Sequence, residues 1–127
     1  MMNSYMASGY RAGLFDGEAG LNWLRPGWRG LRLYARKARH AIEQGDLIHK
    51  ADMIMRADKL LTLMTGILDT GHGTTLGPAL MNIYSALREN LLRANLNNDA
   101  DALHDFESAL LVLDRDMAHI FESALAA

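Results

Sequence analysis

Four Asp-x-x-His pairs carry the side chains best suited to chemistry: Asp46/His49, Asp69/His72, Asp101/His104 and Asp116/His119. A spacing of three puts carboxylate and imidazole on one helix face, and helical bundles that hold paired iron ions present their ligands in this way. That use needs Glu-x-x-His together with further inward Glu residues, and no Glu-x-x-His occurs. His104 and His119 lie fifteen residues apart, about 22 Å along a helix, too far to share a metal. Asp46 and Asp69 fall at expected helix ends, where Asp caps free backbone N–H groups. The pairs therefore read as caps and surface residues, with no metal and no other cofactor expected.

The segment Gly71-His72-Gly73-Thr74-Thr75 leads into an expected helix N-terminus, a place that can hold an anion. It lacks the Gly-Lys-Ser/Thr ending of a phosphate loop and has no strand before it, so turn chemistry accounts for it. The absence of Cys excludes disulfides, thiolate zinc sites, iron–sulfur clusters and cysteine nucleophiles together. No Ser/His/Asp context for nucleophilic catalysis stands out. The residues point to binding, not to an enzyme.

What must position them is helical. The 127 residues suffice for one domain with one core, and half of them are hydrophobic. A mean hydropathy of -0.07 sets the chain apart from disordered sequences. Residues 1–19, with Gly9, Gly13 and Gly17, show no period and are expected to form an N-terminal arm. From about Leu21 to Gln44, apolar residues recur at Leu24, Trp28, Leu31, Tyr34 or Ala35, Ala38 and Ile42. Pro26 and Gly27 interrupt this run, so the first helix is expected to begin near Pro26 or to bend there. Gly45-Asp46 reads as a stop followed at once by an N-cap. Leu47, Ala51, Ile54, Leu61, Met64 and Leu68, joined by Ile48, Met55 and Ala57, give a second helix over about 47–69 with a stripe broad enough for two neighbours. A third helix is expected over about 75–96, on Leu76, Leu80, Ile83, Leu87, Leu91 and Ala94. After Asn97-Asn98-Asp99, a fourth carries Ala102, Phe106, Ala109, Leu113, Met117, Ile120 and Ala124. Four long amphipathic helices on short turns predict an all-α fold, an antiparallel four-helix bundle. No segment approaches the length of a membrane span and no secretory leader is evident, so the expected address is the cytoplasm, without membrane insertion.

The formal net charge of -2 hides a division. Residues 1–62 carry ten Lys/Arg against six Asp/Glu, and residues 63–127 carry three against nine. Arg25, Arg29, Arg32, Arg36, Lys37 and Arg39 form a helical stripe, expected to be a solvated face that pairs with the acidic second half of the bundle. The competing reading is a binding module that contacts RNA or another acidic partner through this stripe. A pI near 6.2 argues against nucleic acid. Eight Met suit an irregular core or an adaptable binding groove. Trp23 and Trp28 flank the Pro26-Gly27 break, which leaves room for one of them as a surface anchor.

Two stretches show a resemblance. Ala41-Ile42-Glu43-Gln44-Gly45-Asp46, then Lys50-Ala51 and a Leu-rich helix ending Ile67-Leu68-Asp69, resembles the first two helices and joining turn of the FliS family of flagellin export chaperones. Ile83-Tyr84, then Leu91-Leu92-Arg93-Ala94-Asn95-Leu96-Asn97-Asn98-Asp99 and Ala102-Leu103, resembles that family's third helix, its Ala-Asn-x-x-Asn-Asp turn and its fourth helix. Tyr10, ten residues before Gly20, matches a tail position where many members have a Tyr. The chain departs from the pattern at Trp23-Leu24-Arg25-Pro26-Gly27-Trp28-Arg29-Gly30, where members have an apolar run ending Tyr-Asp-Gly. It departs again at Tyr84-Ser85-Ala86-Leu87 and Glu89-Asn90, where they have Tyr-Asp-Tyr-Met and Arg-Arg. The resemblance implies a stoichiometric chaperone that holds the C-terminal segment of new flagellin, blocks premature polymerisation and presents it to the type III export gate. On this reading Ile54, Leu61, Met64, Tyr84, Leu87 and Leu91 border the cargo groove, and Tyr5 and Tyr10 belong to an arm that shields the groove or meets the gate.

Overall fold

The computed structural model describes residues 18–68 and 76–126, which form α1 (Glu18–Glu43), α2 (Leu47–Gly66), α3 (Leu76–Asn97) and α4 (Ala100–Ala126). Turns at residues 44–46 and 98–99 are too short for anything but reversal, so α1 and α2, and α3 and α4, run antiparallel. Each helix packs against two neighbours in the cyclic order α1, α2, α3, α4, and the α1/α4 side lies opposite the α2/α3 side. The expected antiparallel four-helix bundle is the fold. The arm with Tyr5 and Tyr10, and the Gly-His-Gly segment at 71–73, lie outside the described residues.

The apolar spacing explains which face each helix buries. Leu24, Trp28, Leu31, Ala35 and Ala38 of α1 meet Met53, Ile54, Ala57, Leu61 and Met64 of α2. Leu80, Tyr84, Leu87, Leu91 and Ala94 of α3, with Leu103, Phe106, Leu110 and Leu113 of α4, complete the core. Each large side chain fully withdrawn from water contributes about 1.5–3 kcal/mol. Trp28 is fully buried and so is no surface anchor; its Nε1–H donates to the Tyr84 hydroxyl at 2.9 Å across the bundle.

The expected start of α1 near Pro26 is corrected. The helix starts at Glu18 and continues through Pro26, eight residues upstream of where a Pro-led helix would begin. Pro26 is exposed, so the carbonyl four residues earlier, which loses its donor, lies on a face that water can reach. Two core residues on either side, Leu24 and Trp28, hold the helix across the lost bond. Gly27 also gains a packing role: a Cβ there would lie 2.6 Å from Met64 Cε, so the missing side chain lets Met64 pack against the α1 backbone.

The α1/α2 turn is as expected. Gly45 has φ +73, the Asp46 N–H reaches the Ala41 carbonyl at 2.9 Å, and the Gly45 N–H reaches Ile42 at 3.1 Å, a Schellman stop. Asp46 Oδ1 then accepts the His49 N–H at 3.0 Å and caps α2.

Candidate binding groove

Asn95-Leu96-Asn97-Asn98-Asp99 ends α3 in a turn held by a cap and by a lysine from α2. Asn98 takes φ 51, a left-handed conformation that Asn tolerates, and Asp99 Oδ1 accepts the Ala102 N–H at 3.1 Å to cap α4. Lys50, buried at the start of α2, donates from Nζ to the Asn95 carbonyl at 3.0 Å and to Asn98 Oδ1 at 2.6 Å. Its ammonium satisfies the end of α3 where the helix dipole favours a cation, and it ties both turns at one end of the bundle. Nothing in the apolar period announced this role for Lys50. Lys50, Asn95 and Asn98 all fall in the two stretches that carry the family resemblance, but their contact is seen only in the structure.

This tie fixes α2 and α3 on either side of a groove of about 530 Å3. Ile54, Leu91 and Ala51 line it together with Met55 and Leu92, and Ser85 and Asn95 add polar atoms. Around it stand apolar side chains that the core does not use: Ile48 is 86% exposed, Leu96 71%, Leu92 59% and Met55 49%. Arg88 Nε and Asp58 Oδ1, 3.2 Å apart, bridge α2 and α3 beside the groove.

The six residues expected to border a cargo groove separate into two sets. Ile54 and Leu91 line the groove while remaining almost wholly buried. Leu61, Met64, Tyr84 and Leu87 are core residues, each about 1% exposed, so they offer no free surface. The physical reason is the width of the apolar stripes. A helix with two neighbours points its central apolar residues inward and leaves those at the stripe's edge, such as Met55 and Leu92, for a further partner. Tyr84 shows how dry the centre is, since burial pushes its phenol up to about 12 against the opposing effect of the Trp28 hydrogen bond.

The opposite side, between α1 and α4, is ionic. Arg25 lies 2.6 Å from Asp114, with Arg32 at 3.6 Å and Arg29 at 3.9 Å from the same carboxylate. Arg36 and Arg39 lie 3.3 and 2.9 Å from Glu107. The basic stripe therefore does pair with the acidic second half of the chain, as expected. Among the described residues no three His, Cys, Asp or Glu are grouped to hold a metal, and no helix is long and apolar enough to cross a membrane.

The molecule is a helical bundle with an apolar groove on one side and an ionic seam on the other. The chain matches the family model described as "Flagellar protein FliS" over residues 28–122, and it belongs to the FliS family. It is 34% identical over 76 residues to the flagellar secretion chaperone FliS of Salmonella typhimurium, a match covering 58% of this chain and 56% of the relative. The chain thus spans little more than half the length of that curated relative.

Proposed function

We propose that the protein is a flagellar secretion chaperone whose α2/α3 groove receives the C-terminal segment of newly made flagellin. The observation that carries this reading is the row of exposed apolar side chains, Ile48, Met55, Leu92 and Leu96, beside a groove floored by Ile54 and Leu91. Family membership supplies the cargo class, and the Salmonella relative's description supplies the process.

The physics is coupled folding and binding. A disordered cargo segment loses chain entropy when it docks, and burial of apolar side chains on both partners offsets that loss. Met55 adapts its thioether to irregular cargo side chains. Leu61, Met64, Tyr84 and Leu87 serve the site from within by setting the spacing of α2 and α3. The complex forms in the cytoplasm before export. No reaction is catalysed.

Calorimetric titration with a flagellin C-terminal peptide tests the reading. Leu92→Glu places a charge where docking must desolvate it, and affinity should fall about tenfold or more while the fold persists. A folded Leu92→Glu protein that binds as tightly as the wild type would remove the groove from the reading.

A further inference from the structure

The α1/α4 side holds more positive charge than the bundle consumes. Five guanidiniums face two carboxylates there, a surplus of three positive charges, and Arg29 and Arg36 remain 57% and 63% exposed. Arg32 Nε is wholly buried without a hydrogen-bond partner. A depression of about 230 Å3 opens on this side, bordered by Arg32, Arg36, Arg39, His104, Ser108 and the half-exposed Leu111, together with the Glu107 carboxylate that Arg36 and Arg39 already neutralise. Leu33, also half exposed, lies between Arg29 and Arg36 on the helix surface.

We infer that this side is a second docking surface, for an acidic amphipathic segment of another protein. An apolar side chain of that segment fits against Leu111, and its carboxylates pair with the exposed guanidiniums of Arg29 and Arg36. Charge complementarity selects acid, and the apolar residues among the arginines select a peptide over a polynucleotide. Nucleic acid would instead want exposed aromatic rings for base stacking, and Trp28, the α1 aromatic next to Arg29, is wholly buried. Because this surface lies opposite the α2/α3 groove, both can be occupied at once.

Isotope-labelled full-length protein, titrated at physiological salt with a synthetic Leu/Glu amphipathic helical peptide, reads the site directly. Amide shifts should cluster at Arg32, Arg36, Ser108 and Leu111. The Arg29→Glu/Arg36→Glu protein should bind about tenfold more weakly or worse, as charge reversal at an interface does. Arg29→Gln/Arg36→Gln should show a smaller loss in the same direction and guards against misfolding of the reversed form. Flagellin-peptide affinity, measured in parallel, should stay unchanged in both, which separates this surface from the groove. Peptide shifts on α2 and α3, equal affinity in all three proteins, or tighter binding of single-stranded RNA than of the peptide would each overturn the assignment.

Discussion

The α2/α3 and α1/α4 sides are built from the same helical period and do opposite things with it. Between α1 and α4, arginines and carboxylates close the seam, and each carboxylate is shared by two or three guanidiniums. Between α2 and α3, Arg88–Asp58 is the one bridging ion pair among the described residues, and apolar side chains stand in water beside a groove. Exposed apolar surface contributes nothing to the free fold, whereas it contributes strongly once a partner covers it. On the proposed reading, one side of the bundle supplies charge and the other receives cargo.

The sharpest way to break this contrast is to confuse core with groove. Leu87→Glu buries an unpaired carboxylate in the centre, which costs several kcal/mol, and should leave the protein unfolded by circular dichroism. A folded Leu87→Glu protein with wild-type melting would show that α3 presents this residue to solvent and that the division drawn between Leu87 and Leu92 is misplaced.

The Trp28–Tyr84 bond joins α1 to α3 through the interior that both sides share. Tyr84→Phe leaves the Trp28 N–H buried without its acceptor and should cost about 1–3 kcal/mol of stability in urea titrations. Its pH dependence is specific. The native phenol is held neutral up to about 12, against about 10 in the unfolded chain. The Tyr84 contribution is therefore complete below pH 10 and is lost as pH rises from 10 to 12, at about 1.4 kcal/mol per pH unit. Wild type should lose stability faster than Tyr84→Phe across that window. Parallel curves would place Tyr84 in a wetter setting than the core.

Within the groove, the effect should be graded by position. Met55→Glu and Leu92→Glu, beside the floor residues, should each weaken flagellin-peptide binding about tenfold or more, and Ile48→Glu, at the outer end, by less. Melting temperatures should change little, since none of the three is buried. On the opposite side the smallest effect is expected. Replacing Arg29, Arg32 and Arg36 together with Gln should leave flagellin-peptide affinity within about tenfold, because partly exposed ion pairs contribute little each. A larger loss would move cargo to the basic side.

Much of this was legible in the residues. Gly45-Asp46 announces a stop and a cap because only certain backbones take positive φ and only short polar side chains cap, and the α2 start at Leu47 follows. The 3 and 4 spacing places the core faces of all four helices, and the charge division foretells the α1/α4 ion pairs. At Pro26 local propensity left two paths open, a start or a continuing helix, and the structure takes the second because Leu24 and Trp28 pack on both sides of the break and carry the helix across it. Nor does a period distinguish a residue facing the bundle axis from one at the stripe's edge. Leu61, Met64, Tyr84 and Leu87 therefore looked like groove residues when they are core, while Leu92 and Leu96, off the main stripe, are the exposed ones. Met64 against Gly27 depends on a close helix approach that only three dimensions reveal.

The most direct test of the central claim is the map of amide shifts when a flagellin C-terminal peptide is titrated into the isotope-labelled chain. The proposed groove requires the largest shifts along residues 48–58 of α2 and 85–96 of α3, with Met55 and Leu92 among them. Saturable shifts confined to α1 and α4, or none at peptide concentrations far above that of the protein, would contradict it.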